Sequence, residues 1–464
     1  MKKALIGAFS VLILFLSGVQ CTFLEKRIDQ VLHDPYIFDL PDIKTRGTIR
    51  AAVDNNSTSY YIYRGRRMGY EFELLRDLGK TLGVQLELIV VNDIEKAFDY
   101  LESGKVDVIA MNLDVHQNPR QGRAAFTNYL GTRSTVIVGK NRSGKQIDWT
   151  DLTADTVYVR KGTAYLAQLA MLKDSLELEF TVLEAEDHEE NLIDGVADGQ
   201  INWTVADRSI AQANQTYYEG LDASLKVSEN GAVGWATRKN SPLLLKEINT
   251  WLSQKKGKFI PELYAKYFLS PRNKFYRSTS PYSSLGGSKI SAFDKLIQVS
   301  AGELGWDWRL LAALVFKESG FDTTATSYAG AEGLLQLMPV TLARFGVDNP
   351  RDPVQSLKGG VQYLQYLDKF WRARVPDSNE RIRFILASYN IGQGHVEDAW
   401  RLTMKYGKNT QSWKDVAFYL NLKSDPEYYQ DPLAKSGFAK GHIAVNYVRD
   451  VLSLFESYKT LVDP

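Results

Sequence analysis

The sequence predicts two folds in series, an α/β domain on a parallel sheet followed by an all-α lobe, and three observations predict it. Strand-like and helix-like runs alternate between residues 45 and 270. Helical periodicity without a convincing strand fills residues 290 to 464. Between them, residues 271 to 289 are dense in Ser, Gly and Pro and lack apolar periodicity, which marks a linker. Alternation of strand and helix argues a layered α/β sheet, and a run of helices argues a separate core. A length of 464 residues is also too much for one ordinary core.

The elements can be taken in order. Lys2 and Lys3 precede the apolar run Ala4 to Val19, so residues 1–21 read as an export signal; a membrane anchor is the alternative, for which the run is short against a span of about 20 residues. Gly18-Val19-Gln20-Cys21 is a poor lipidation site because Gln20 is not small. Residues 22–44 form an approach segment. Thr48 to Val53 is a short apolar strand, Tyr70 to Leu82 a helix, and Val84 to Val91 an alternating strand. Ile94 to Leu101 reads as helix and Val106 to Met111 as a buried strand; Val157 to Arg160 and Ile201 to Ala206 are later strands. In the C-terminal part, Ile290 to Leu304, Trp308 to Lys317, Pro339 to Phe345, Leu357 to Phe370, Arg381 to Tyr389 and Gly441 to Tyr458 carry helical periodicity.

Composition excludes several functions. The formal net charge of +1 gives no global field for nucleic acid. The only cysteine is Cys21, inside the export signal, so the folded part has no disulfide or thiol chemistry. His33, His116, His188, His395 and His442 are scattered without metal-ligand spacing, and no phosphate loop or dinucleotide fingerprint occurs, so no metal or cofactor is expected.

The chemistry is expected at Glu318. Asp307 is a good N-cap and Gly320 a good stop for the helix between them. Leu311, Leu314, Val315 and Glu318 share one face, which makes Glu318 the charged exception on an apolar stripe. Burial disfavours the charged form, so its pKa should rise. A carboxylic acid still protonated near neutral pH is what acid-catalysed cleavage of a glycosidic bond requires. No second acid has a motif that fixes it beside Glu318; Asp322 and Glu332 are equally well read as solvated loop charges.

Four motifs occur in order: Glu318-Ser319, Gly333-Leu334-Leu335-Gln336-Leu337-Met338-Pro339, Ala387-Ser388-Tyr389-Asn390-Ile391-Gly392 and Asn446-Tyr447-Val448. This succession, over roughly residues 290 to 460, resembles the goose-lysozyme-like catalytic domain of the soluble-type lytic transglycosylases. Leu335 stands where Met is usual, and Ser388 where Ala is usual. The resemblance implies a lysozyme-like fold acting on peptidoglycan glycan strands. It implies one Glu, Glu318, as acid and then base, leaving 1,6-anhydro-N-acetylmuramic acid ends without consuming water. Ser319, Gly333, Gln336, Met338, Tyr389, Asn390 and Tyr447 would then line the groove. Gln336 would present an amide near the reacting sugar, Tyr389 and Asn390 would form one wall, and Tyr447 would hydrogen-bond Glu318. A hydrolytic muramidase on the same fold is the alternative.

Residues 45–270 resemble the extracellular solute-binding proteins that deliver amino acids to transporters, which implies a two-lobed, periplasmic-binding-protein-like fold. The match lies in Arg46-Gly47-Thr48-Ile49-Arg50, Gly69 to Leu74, Ser103-Gly104-Lys105-Val106-Asp107, Asn118-Pro119-Arg120 ahead of Phe126-Thr127, and Gly199 to Asp207. It implies that Arg120 clamps a ligand carboxylate, Asp207 accepts an ammonium, and Gly162 and Thr163 offer backbone donors. On a chain where this domain has no transporter role, the expected ligand is an amino acid or a muropeptide whose binding regulates the other domain. Gln117 stands where Thr is usual. The two domains in this order resemble exported murein transglycosylases that sit peripherally on the inner face of the outer membrane. A non-enzymatic solute receptor is a further reading, against which the intact Glu318 argues, and a subunit of an amino-acid importer is another, for which a covalently attached lytic lobe makes no sense.

Overall fold

A computed structural model describes residues 38–462 except 117, 119, 142–145, 216–217, 270–279 and 286–288. The export signal, Cys21, the first part of the approach segment and most of the expected linker lie outside the described residues. The chain divides into two compact units. Of the described residues, the first holds those from 38 to Val53 with Leu74–Ala211 and Gly220–Glu262. The second holds Asp54–Glu73, Gln212–Glu219 and the chain from Leu263 onward.

Twelve strands are described: β1 (Thr48–Val53), β2 (Tyr61–Tyr63), β3 (Arg66–Met68), β4 (Gln85–Val90), β5 (Val108–Asp114), β6 (Ala124–Phe126), β7 (Gly131–Lys140), β8 (Thr156–Arg160), β9 (Thr181–Ala185), β10 (Trp203–Asp207), β11 (Leu221–Asp222) and β12 (Lys226–Arg238). The helices before residue 270 are α1 (Leu40–Arg46), α2 (Tyr70–Leu82), α3 (Ile94–Glu102), α4 (Tyr165–Leu176), α5 (Glu189–Asp198), α6 (Arg208–Gln215), α7 (Pro242–Lys255) and α8 (Phe259–Phe268).

The main sheet runs β4-β1-β5-β12-β7-β10-β8-β9. Its two ends are parallel, β4 and β5 flanking β1, and β10 and β9 flanking β8. The centre corrects the expectation of a parallel sheet. β12 pairs antiparallel with β5 and β7, and β7 antiparallel with β10. These two long strands were not expected, because their Gly, Ser and charged residues break the apolar alternation that marks a strand. Each sheet end carries its own apolar cluster. One is built around Phe98, Ile109 and Met111, the other around Tyr165, Leu169 and Trp203. β10 is buried along its whole length, as a strand covered on both faces should be.

The second unit is helical around one core: α9 (Asp294–Leu304), α10 (Trp308–Ser319), α11 (Pro339–Arg344), α12 (Pro353–Arg372), α13 (Ser378–Ile391), α14 (Gln393–Lys405), α15 (Trp413–Leu422), α16 (Pro426–Tyr429) and α17 (Gly441–Leu461). α14 and α15 were not expected; the first opens directly after Gly392 and offers no cap residue to announce it. The β2–β3 hairpin belongs to this unit, and Ile62 lies in its core. Residues 280–285, assigned from sequence to the linker, pair with that hairpin: Arg64 N–H donates to the Tyr282 carbonyl at 2.9 Å, and Ser283 is fully buried.

Candidate active site

Asp307 caps α10 by accepting the Arg309 N–H at 2.9 Å, and Gly320 ends it in the left-handed region at φ 63°. Trp308 to Val315 are buried, so the helix enters the core and surfaces at its last turn. Glu318 sits on that turn, half-buried. Its carboxylate accepts the hydroxyl of Tyr447 from α17. Burial pushes the Glu318 carboxyl up to about 7, against smaller downward pulls from the Tyr447 hydrogen bond and the Lys317 charge. The acid is therefore partly protonated at neutral pH, the state a general acid needs.

The Gly333 turn is built for close approach. Gly333 has φ 78°, and a Cβ there would stand 2.0 Å from the Pro350 carbonyl oxygen, so only glycine fits. Gln336 holds a left-handed backbone at φ 47°. Its amide Nε2 donates to the Ala325 carbonyl at 2.9 Å and the Gly333 carbonyl at 3.0 Å. Both N–H groups of the amide thus lock the turn, and Oε1 is the part of the amide that these two bonds leave over for a sugar. Met338, 44% exposed, stands just before α11 and makes no side-chain capping bond.

Tyr389 on α13 donates its hydroxyl to the Leu335 carbonyl at 2.5 Å and packs its ring on Tyr363 at 5.3 Å. Burial, reinforced by the nearby Glu318 charge, raises its pKa far above the usual phenol value. Asn390, next in the helix, is exposed. Ser388 is more than a packing substitute, since its Oγ accepts the Trp371 indole N–H at 2.9 Å inside the core. Ser319 turns its hydroxyl back to the Val315 carbonyl of its own helix at 3.2 Å. Both candidate second acids are engaged elsewhere. Asp322 accepts the Thr324 N–H at 2.8 Å and its hydroxyl at 2.7 Å, and Glu332 pairs with Arg351 at 3.7 Å.

In the first unit, Arg120 does not present an open fork. Its Nε donates to Glu95 at 2.7 Å and its Nη1 to the Gly162 carbonyl at 2.8 Å. Gly162 gives its own N–H to Glu184 at 3.3 Å, and Thr163 gives its hydroxyl to the Arg160 carbonyl at 2.7 Å. Asp207 is buried at the end of β10, with Oδ1 accepting the Ser209 N–H at 2.8 Å and its hydroxyl at 2.6 Å. Its N–H donates to Glu189 at 3.0 Å, and the other Glu189 oxygen accepts the Tyr165 hydroxyl at 2.8 Å. The Arg133 guanidinium lies 5.5 Å from the centre of the Tyr165 ring. Glu95, Arg133 and Glu189 were missed from the sequence, because a charge in a first helical turn or on a strand reads as solvated surface.

Two family models match the chain. The transglycosylase SLT domain covers residues 295–412, and the bacterial extracellular solute-binding proteins, family 3, cover residues 49–270. A protein of Desulfosudis oleivorans named membrane-bound lytic murein transglycosylase F is 33% identical over 90% of this chain and 91% of its own length. Proteins of the same name from Photobacterium profundum and Aeromonas hydrophila are each 32% identical. They are matched over 91% and 90% of this chain and 82% and 83% of their own. With likeness at that level running through both units, the chain belongs to the membrane-bound lytic murein transglycosylase F family.

Proposed function

We propose that the protein is a peptidoglycan lytic transglycosylase that cleaves the β-1,4 bond between N-acetylmuramic acid and N-acetylglucosamine. The observation that carries this reading is the half-buried Glu318, held protonated until about pH 7 and hydrogen-bonded by Tyr447. Glu318 donates its proton to the glycosidic oxygen as the bond to C1 breaks, and the leaving sugar departs as an alcohol. The neighbouring acetamido oxygen of the substrate stabilises the cation. The ionised Glu318 then takes the proton of the C6 hydroxyl while O6 bonds to C1, closing the 1,6-anhydro ring and restoring the acid. A pKa between the two tasks lets one group do both. The engagement of Asp322 and Glu332 with other partners favours this one-acid route over a two-carboxylate hydrolysis. Incubating purified glycan strands with the wild-type chain and with Glu318→Gln tests the assignment: turnover by the wild type alone supports it, and turnover by both defeats it.

The first unit, on this reading, takes a small ligand with a free carboxylate and a free ammonium, an amino acid or a wall peptide, at Arg120 and Asp207. A ligand carboxylate must displace Glu95 from Arg120. Bound ligand tunes cleavage only through differential affinity for active and inactive arrangements. Calorimetry with muropeptides, and its loss in Arg120→Ala, tests this. Export and peripheral attachment to the inner face of the outer membrane complete the proposal. Its supports are the charged and apolar start of the chain and the relatives' name. Among the described residues no helix is long and apolar enough to cross a membrane. Fractionation of cell envelopes tests the attachment.

A further inference from the structure

The β2–β3 hairpin lies within the span matched to the solute-binding family, yet it packs as part of the helical unit. Its tip, Arg64-Gly65, reaches two helices at once. The Gly65 carbonyl accepts the Tyr458 hydroxyl of α17 at 2.8 Å, and Arg67 Nη1 donates to Ser453 Oγ of the same helix at 3.0 Å. On the other side Gly65 meets the end of α10. A Cβ on Gly65 would stand 2.6 Å from the Phe321 ring, 2.7 Å from the Phe316 ring and 2.9 Å from the Tyr458 hydroxyl. Gly65 also has φ 74°, so both the backbone and the space demand glycine.

These contacts bear on the catalytic turn. Phe316 and Phe321 stand either side of Glu318 in sequence, their rings 5.8 Å apart. Phe316 is two residues from Glu318, about 200° around the helix, so the tip grips α10 from the side opposite the carboxyl. Ser453 and Tyr458 belong to the helix whose Tyr447 reaches Glu318. The hairpin tip thus touches both elements whose meeting makes the Tyr447–Glu318 hydrogen bond. Tyr458 is fully buried, and Gly65 supplies the acceptor for its hydroxyl. A buried hydroxyl left without a partner would be costly, so the contact is held firmly.

We propose that the β2–β3 hairpin tip, with Gly65 at its centre, is a positioning element for the cleavage reaction: it clamps the end of α10 against α17 and so sets the Tyr447–Glu318 hydrogen bond. The proposal rests on Glu318 as the acid. The catalytic apparatus is then completed by a segment more than two hundred residues earlier in the chain, outside the span of the transglycosylase family model.

The test uses the full chain and soluble glycan oligosaccharides. Gly65→Val should lower kcat by about tenfold, the loss expected of Tyr447→Phe. Tyr458→Phe, which keeps the ring and removes only the hydrogen bond to Gly65, should lower kcat about three- to tenfold with KM unchanged. It should also move the Glu318-dependent limb of the pH–rate profile in the same direction as Tyr447→Phe does. In the Tyr447→Phe background, adding Tyr458→Phe should change kcat by less than about twofold, because its route of action is already gone. If Gly65→Val fails to fold, Tyr458→Phe and the double variant still decide. A Tyr458→Phe protein with a lower melting temperature but wild-type kcat and pH profile would overturn the proposal. So would full multiplication of the two kcat losses. Glu318→Gln, run alongside, separates the two ideas: activity there defeats the acid assignment, whereas an inactive Glu318→Gln with wild-type hairpin variants defeats the clamp alone.

Discussion

The acid of the helical unit and the guanidinium of the α/β unit are both charged groups at the edge of a core, and their surroundings differ. Glu318 receives the Tyr447 hydroxyl, and burial, not an opposite charge, dominates its titration. Arg120 is held from two sides, by the Glu95 carboxylate and the Gly162 carbonyl. The first arrangement keeps a reactive proton available at neutral pH. The second keeps a guanidinium satisfied by one fixed carbonyl and one side-chain carboxylate. Chemistry needs a group whose ionisation is poorly compensated; selective binding tolerates one whose partner can be exchanged.

Substitutions at the two groups should differ in their consequences, and the acid should be the more sensitive. Glu318→Gln should fold and lose at least about 10²-fold in rate, because the amide keeps the shape but has no carboxyl proton to give. A loss within tenfold would place the chemistry elsewhere. Tyr447→Phe should cost about tenfold in kcat. The Tyr447 hydrogen bond lowers the Glu318 pKa, so its removal should move the corresponding limb of the pH profile upward. A profile that stays in place would mean that the hydroxyl does not govern the acid.

Stability should report the same burial. The Glu318 carboxyl titrates near 4.5 when free and at about 7 in the fold, so its favourable contribution is complete below about 4.5 and is lost as pH rises through about 7. Glu318→Gln removes that loss. The variant should match wild type in acid and become more stable by about 1–3 kcal/mol above neutrality, as read from urea midpoints across pH. A stability difference independent of pH would contradict the raised pKa. The smallest effect belongs to the exchangeable pair. Glu95 is 49% exposed in its bridge to Arg120, and such bridges are worth about 0.2–1 kcal/mol. Glu95→Ala should therefore tighten a carboxylate ligand only about two- to fivefold by calorimetry. Weaker binding would make Glu95 part of the ligand site rather than its competitor.

The catalytic turn was the more legible of the two regions. Asp307, Gly320 and the stripe of Leu311, Leu314 and Val315 fix α10 by local rules, and a glutamate on that stripe announces its own burial. The Tyr447 contact was accessible only through motif order, since 129 residues separate it from Glu318. That the Gln336 amide ties down its own left-handed turn was not legible, because no local rule announces a side chain that bonds a carbonyl eleven residues away. In the α/β unit the short strands β1, β4, β5, β8 and β10 were legible from Val, Ile and Leu runs, whereas β6, β9 and β11 were not. The long antiparallel strands β7 and β12 were not, since their register shifts and polar residues are set by long-range pairing. The partners Glu95 and Glu189 were invisible for the same reason. Nor did the sequence show that residues 54–73 pack with the helical unit, because the hairpin's amphipathic pattern names a partner surface without saying where in the chain it lies.

The central claim is that one acid works twice and water takes no part. Digesting purified sacculi in water enriched in heavy oxygen, then analysing the released muropeptides by mass spectrometry, tests it most directly. Lytic cleavage by Glu318 alone should leave 1,6-anhydro-N-acetylmuramic acid ends that carry no label. Reducing ends that carry one labelled oxygen per cleavage would contradict it and make the protein a hydrolase.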